Sequence, residues 1–331
     1  MLYYYALLYY NINLKQIKTM KKIHLISTLI GLLAFSTISK ADLKVVTSIK
    51  PIHSLASYIM DGVGSPGLIV DGYNSPHSFQ LKPSHAKMLE QADIIFWIGE
   101  DLENFLEKPL DTIAKKAEKI ELLEIKGIKK LKFRERNIFE EHEGHDDHGD
   151  DAKKEEHDDH EGHGHGEYDP HIWLDPINAK VILSEITEHL IENDSKNAST
   201  YKSNLAKALA EIDKLIIDVI TETNTDLSYV VFHDAYQYYE NRFNVNILGA
   251  MTVNPDVMPG AEQIHEIHEV IEHDNVSCIL SEPQFNPDII KSIAKDTNVK
   301  TGVLDPLGAN LKPGKDLYFD LIKNMSASFN C

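Results

Sequence analysis

The sequence predicts an α/β protein of two lobes, each a parallel sheet flanked by helices, joined by one long rigid helix. Three observations carry that expectation. The chain has 331 residues, 42% of them hydrophobic, enough for two domains with cores of their own. Short β-branched runs recur between helical patterns, which is the rhythm of parallel βαβ units. One stretch, 196–223, keeps a helical period without a single glycine or proline.

At the N-terminus, residues 1–41 hold five lysines and no acid, and Met20, Lys21 and Lys22 introduce an apolar run from Ile23 to Phe35. A basic start, an apolar centre, and Ser39 and Ala41 where a signal peptidase reads make this a cleaved secretory signal, with the mature chain starting near Asp42. The apolar run is too short to span a bilayer. Residues 1–19 are aromatic and apolar without a basic start, so they read as an upstream extension and Met20 as the start of translation. No cysteine near the cleavage point offers itself for lipid attachment, and the expected product is a soluble periplasmic protein with no stable membrane insertion.

The expected strands of the mature chain lie at 43–49 (LKVVTSI), 93–99 (DIIFWIG), 229–232 (YVVF), 278–280 (CIL) and 301–304 (TGVL). Between the two groups, Leu205, Leu209, Ile212, Ile216 and Val219 form one stripe of the 196–223 helix. About 28 residues of helix would run roughly 40 Å, long enough to serve as a spine. The expected organisation is therefore an N-terminal lobe at 42–195, the linking helix at 196–223 and a C-terminal lobe at 224–331.

Residues 140–167 break every pattern, with seven histidines, 13 acids, two lysines and almost nothing apolar. Such a composition cannot bury a core, and a solvated, unstructured loop is expected within the first lobe. Cys278 and Cys331 are the only cysteines, an even pair in an exported chain, and are expected to be bonded. Without residues 1–41 the chain keeps 28 basic against 52 acidic residues, a net charge of about −24. That field makes nucleic acid and anionic membrane poor partners.

Three histidines stand apart from the loop. His77 lies on a turn marked by Asn74, Ser75 and Pro76; His171 lies between two prolines in DPHIWLDP; His233 directly follows the strand YVVF, where an open sheet forms its binding crevice. Asp234 is expected to cap the helix that follows. Other histidines read differently. His265 and His268 sit three apart on a solvated helix face and lack the HExxH spacing of a metalloprotease. His53, His85 and His189 have polar or charged neighbours that do not call for a metal, and are read as structural or exposed.

KPIHSLA, SPHSFQLKPS, DPHIWLDP, VFHDAYQYYE, SEPQFNP and LDPLG occur in an order that resembles the zinc-binding subunits of bacterial ABC importers across nearly the whole mature chain. The resemblance implies two similar lobes with a metal site in the cleft between them. It implies Zn²⁺ as the bound ion, with His77, His171 and His233 as ligands, an ABC permease as partner, and a Cys278–Cys331 disulfide. Relatives that carry manganese place a carboxylate at the third position, and imidazole suits zinc better than manganese, so His233 favours zinc. The fourth ligand stays open: Asp305 in LDPLG is one choice and water the other, and Glu282 in SEPQF is set aside.

The expectation is thus a monomeric, non-enzymatic zinc-capturing protein of the periplasm that supplies a zinc permease. A zinc hydrolase would need a general base beside a metal-bound water, and no motif here provides one. The other readings are a manganese-binding relative or a metal-dependent adhesin. Histidine must be neutral to bind metal, so binding is expected to weaken below about pH 6.5.

Overall fold

The computed structural model describes residues 43–331 except 135, 140–165, 256 and 258. The expected signal segment and almost all of the histidine-rich loop fall outside the described residues. Leu43–Cys331 forms one compact unit.

Its first half carries β1 (Val45–Ile49), α1 (Lys50–Ile59), β2 (Gly67–Val70), α2 (Pro83–Gln91), β3 (Ile94–Trp97), the short α3 (Glu100–Glu103) and α4 (Glu107–Thr112), β4 (Glu118–Glu121) and α5 (Pro176–Asn193). The long α6 (Ala198–Glu222) follows. The second half carries β5 (Ser228–His233), α7 (Gln237–Phe243), β6 (Asn246–Thr252), α8 (Ala261–His273), β7 (Cys278–Ser281), α9 (Asp288–Thr297), β8 (Lys300–Val303) and α10 (Leu317–Ser328). Each half builds a four-stranded sheet in which every pairing is parallel, ordered β2-β1-β3-β4 and β6-β5-β7-β8. The two lobes therefore repeat one topology, and the fold class is the expected one.

All five expected strands form. Three more, β2, β4 and β6, were not among the expectations. β4 reads EKIE and buries only Ile120, because it lies at the sheet edge, while β6 is interrupted by Gly249. That glycine has a reason: a Cβ there would lie 2.7 Å from the carbonyl oxygen of Asn137. Asn137 and Phe139 pair with the free edge of β6 through Ala250 N–H to Asn137 O and Phe139 N–H to Leu248 O, both 2.8 Å. The chain leading into the histidine-rich segment is thereby pinned to the second sheet.

The spine helix is real but shorter than expected, 25 residues or roughly 37 Å, because Ser195–Asn197 turn as a 3-10 helix before it. Its buried line is Tyr201, Asn204, Ala208, Ile212, Leu215 and Val219. Leu205, Leu209 and Ile216 of the expected stripe sit at the margin of that face, packed against the core but only partly buried. The helix packs on α1, α5 and α10. One hydrophobic core, from Val45 to Phe329, runs without interruption through both halves, and a smaller one covers the other face of the second sheet around Phe232, Met251 and Ile279. The Cys278–Cys331 disulfide ties β7 to the last residue.

Polar contacts lock the halves together. The Lys50 ammonium, at the carboxyl end of β1, donates to the carbonyls of Gly308, Ala309 and Leu311 at 2.6, 3.0 and 2.6 Å. Burial lowers the Lys50 pKa, which the Asp71 carboxylate 3.7 Å away partly opposes. Arg242 of α7 grips Asp175, the N-cap of α5, with two bonds of 2.7 and 2.8 Å.

Candidate metal centre

In a parallel sheet of this order, ligands gather beyond the carboxyl ends of the strands where the chain direction of the connections reverses. In the second sheet that point lies between β5 and β7. His233 is the last residue of β5, and Glu282 immediately follows β7. His233 is thus held by strand pairing, including its register with Thr252.

His171 arrives from the other half on a segment with little freedom. Asp169 Oδ1 accepts the His171 backbone N–H at 2.9 Å, Ile172–Leu174 close a 3-10 turn, and Asp175 caps α5 by accepting from Ile177 N–H at 2.8 Å. The second half grips the same segment: Tyr238 Oη donates to Asp169 O, Trp173 Nε1 to Pro306 O, and Tyr318 Oη to Trp173 O, at 2.8 to 2.9 Å. His77 sits on the loop after β2, its backbone N–H donating to Ser75 Oγ at 3.2 Å.

Each of the three histidines offers a nitrogen within 4.8 Å of the other two. Ring centroids are 5.2 to 5.6 Å apart. His171 and His233 are both only 3% exposed, and Pro76, Trp173, Phe285 and Pro306 contribute apolar walls.

Protons make this arrangement informative. His171 Nδ1 lies 2.7 Å from Asp169 Oδ1, and His233 Nδ1 lies 2.6 Å from Glu282 Oε1. Each carboxylate accepts the Nδ1 proton, so by this hydrogen-bond assignment the Nε2 atoms are left with lone pairs. Those two Nε2 atoms face each other at 3.3 Å. Two lone pairs repel at that distance unless a cation lies between them. Ligand nitrogens about 2.05 Å from a tetrahedral zinc stand about 3.3 Å apart. The paired carboxylates are the outer-shell partners that orient metal-binding imidazoles.

Burial, then the neighbouring His233, drives the His171 pKa well below its ordinary value, which keeps that ring neutral. Burial likewise pulls His233 down, but the Glu282 carboxylate outweighs it and the net shift is upward. Burial pushes Asp169 up to about 7 against the pull of the His171 N–H and His233.

Asp305 accepts from donors of its own turn. Its carboxylate is not among the grouped ligand atoms. Oδ1 accepts from Gln284 Nε2, Leu307 N–H and Gly308 N–H at 2.8 to 3.1 Å, and Oδ2 accepts from Ala309 N–H. The physical reason is that the turn after Pro306 leaves three backbone donors facing inward, and a carboxylate two to four residues back satisfies them. That turn presents the carbonyls gripped by Lys50. Asp234 also departs from expectation: it is no helix cap but pairs with Arg134 at 3.0 Å, while Arg134 also reaches Glu240 at 2.6 Å. Glu282, set aside from sequence, and Asp169, not singled out, are the residues that orient the cluster. An acid two residues before a proline-flanked histidine is the local signal for Asp169; no local signal ties Glu282 to a histidine 49 residues away.

Comparison with known proteins identifies the family. Residues 45–330 match the family model described as zinc-uptake complex component A, periplasmic. The high-affinity zinc uptake system protein ZnuA of Brucella abortus is 44% identical over 300 residues, covering 86% of this chain and 90% of that protein. Among solved structures, the laminin-binding adhesin of Streptococcus agalactiae superposes with a TM-score of 0.69 at 22% identity, covering 87% of this chain and 98% of that one. A crystal structure of ZnuA gives 0.68 at 21%, covering 87% and 100%. At such identities the two structures speak for the fold alone, whereas the family model and the Brucella protein speak for descent. The chain belongs to the ZnuA family of periplasmic zinc-uptake components.

Proposed function

We propose that this protein captures Zn²⁺ in the periplasm through His77, His171 and His233 and delivers it to the membrane permease of an ABC-type zinc importer. The single observation that carries the reading is the pair of buried imidazoles whose carboxylate-bound Nδ1 atoms leave two Nε2 lone pairs 3.3 Å apart. Three neutral imidazoles favour zinc over harder ions. With Asp305 occupied by its own turn, the fourth position falls to water. The sheets before and after the spine helix act as the two lobes, at 42–195 and 224–331.

His77 and His171 come from the first half and His233 from the second, so a bound ion favours one relation between the halves. A permease recognises that state, and release follows when the relation is disturbed. No helix among the described residues is long and apolar enough to cross a membrane, so the permease supplies the passage. The acidic, histidine-rich 140–167 segment acts as a low-affinity collector, since clustered imidazoles and carboxylates bind zinc.

The test is zinc competition against a chelator in a variant lacking 140–167, with each histidine changed to alanine singly and together. One tight equivalent is expected in the deletion variant and none in the triple variant. Nanomolar binding that survives the triple substitution defeats the assignment. Delivery is read by zinc-limited growth of a strain whose own binding protein is replaced by the parent or triple variant.

A further inference from the structure

A second group of ligand-type side chains lies far from the cleft. His189 and Glu192 project from the last turns of α5, and Glu118 opens β4; one ligand atom from each falls within 4.8 Å of the others. His189 is 13 residues beyond the start of α5, roughly 20 Å along the helix from the end that adjoins His171. The group therefore shares no residue with the three-histidine cluster.

His189 Nε2 lies 3.2 Å from Glu185 Oε1, one helical turn back, and by hydrogen-bond assignment donates its proton there. That choice leaves Nδ1 with the lone pair. Nδ1 is buried, makes no hydrogen bond, and stands 2.8 Å from Glu118 Oε1, off the line that an N–H···O bond requires. Nδ1 and the Glu118 oxygen at 2.8 Å are held together only with a proton or a metal ion between them. The ring is seated edge-on against Phe96, centroids 6.2 Å apart, and Asn193 Nδ2 donates to the other Glu118 oxygen at 2.9 Å, so both ligand groups are held in place. Among the described residues, no lysine or arginine forms an ion pair with Glu118, Glu185 or Glu192.

We propose that His189 Nδ1 and the carboxylates of Glu118 and Glu192 form a second divalent-cation site on the first lobe. One imidazole and two carboxylates suit Zn²⁺ and, through the oxygens, Mn²⁺, with water completing the shell. The site is more exposed than the cleft and richer in oxygen, so it binds zinc more weakly and exchanges it faster.

The experiment uses the full mature chain with its cleft first loaded with one equivalent of zinc. Crystals are then soaked in excess zinc chloride and diffraction is recorded on both sides of the zinc edge. An anomalous peak is expected within ligand distance of His189 Nδ1, Glu118 and Glu192. In equilibrium dialysis, His189→Gln and Glu118→Gln are each expected to bind one zinc fewer than the parent. Melting in the presence of EDTA checks that both variants fold. The proposal is overturned if no peak appears there, or if both folded variants bind as many ions as the parent. Because the cleft is filled beforehand, its failure and the failure of this second site give separate signals.

Discussion

Glu282 contributes no atom to the cation in this reading, yet its removal is expected to weaken zinc binding strongly. Its Oε1 accepts the His233 Nδ1 proton at 2.6 Å, and both side chains are almost wholly buried, 1% and 3% exposed. A hydrogen bond to a charged group is worth about 1.5–3 kcal/mol, and at about 1.4 kcal/mol per decade that is roughly 10- to 150-fold in affinity. The same range follows from outer-shell partners of metal-bound histidines, whose loss costs about 10- to 100-fold. Glu282→Ala removes both the acceptor and the charge and should show the full effect. Glu282→Gln keeps an acceptor for Nδ1–H and should lose only part of it. The assay is zinc competition with a chromophoric chelator, alongside melting in EDTA to confirm folding. If folded Glu282→Ala binds zinc within twofold of the parent, the orienting role is wrong and the two Nε2 atoms do not need their tautomers set.

Asp305→Ala should leave zinc affinity within a few-fold of the parent while lowering stability by about 2 kcal/mol, because a carboxylate that takes backbone N–H donors is lost from the turn held by Lys50. A tenfold loss of affinity with unchanged urea unfolding would make it a ligand instead. Burial pushes the Glu103 carboxyl up to about 7, even though the N–H groups of Ile98 and Gly99 favour its ionised form. The folded state therefore holds this proton to higher pH than the unfolded chain, whose pKa is near 4.5; the stability it contributes is present below that value and lost as pH rises through about 7. Glu103→Gln should gain on the parent by on the order of 3 kcal/mol between pH 4.5 and pH 8 in urea unfolding, and a gap that ignores pH would refute this. The Cys278–Cys331 bridge spans 53 residues, and replacing both cysteines by serine should cost about 4 kcal/mol in the chain-entropy model, read as a lower urea midpoint.

The halves share one core and are bound by Lys50, Arg242 and the Trp173–Pro306 bond. Residues near the cluster are thus anchored from both sides.

Much of this architecture was legible along the chain because it depends on neighbours in sequence. β-Branched runs revealed five strands, the glycine-free stretch revealed the spine, and each of the three histidines stood in a local context of turn, proline or strand end. Strand β4 escaped because EKIE has almost no apolar signal and its pairing at the sheet edge makes it a strand, while the apolar runs of β2 (GLIV) and β6 (NILGAMT) are short or broken by a glycine. The proton partners of the cluster were settled only by folding. Glu282 meets His233 across 49 residues through the pairing of their strands, and Glu118 meets His189 across 71 through the packing of a helix on the first sheet. Asp305 shows the reverse case: a motif position suggested a ligand, and folding surrounds its carboxylate with the N–H groups of Leu307, Gly308 and Ala309, contacts that the motif by itself does not announce.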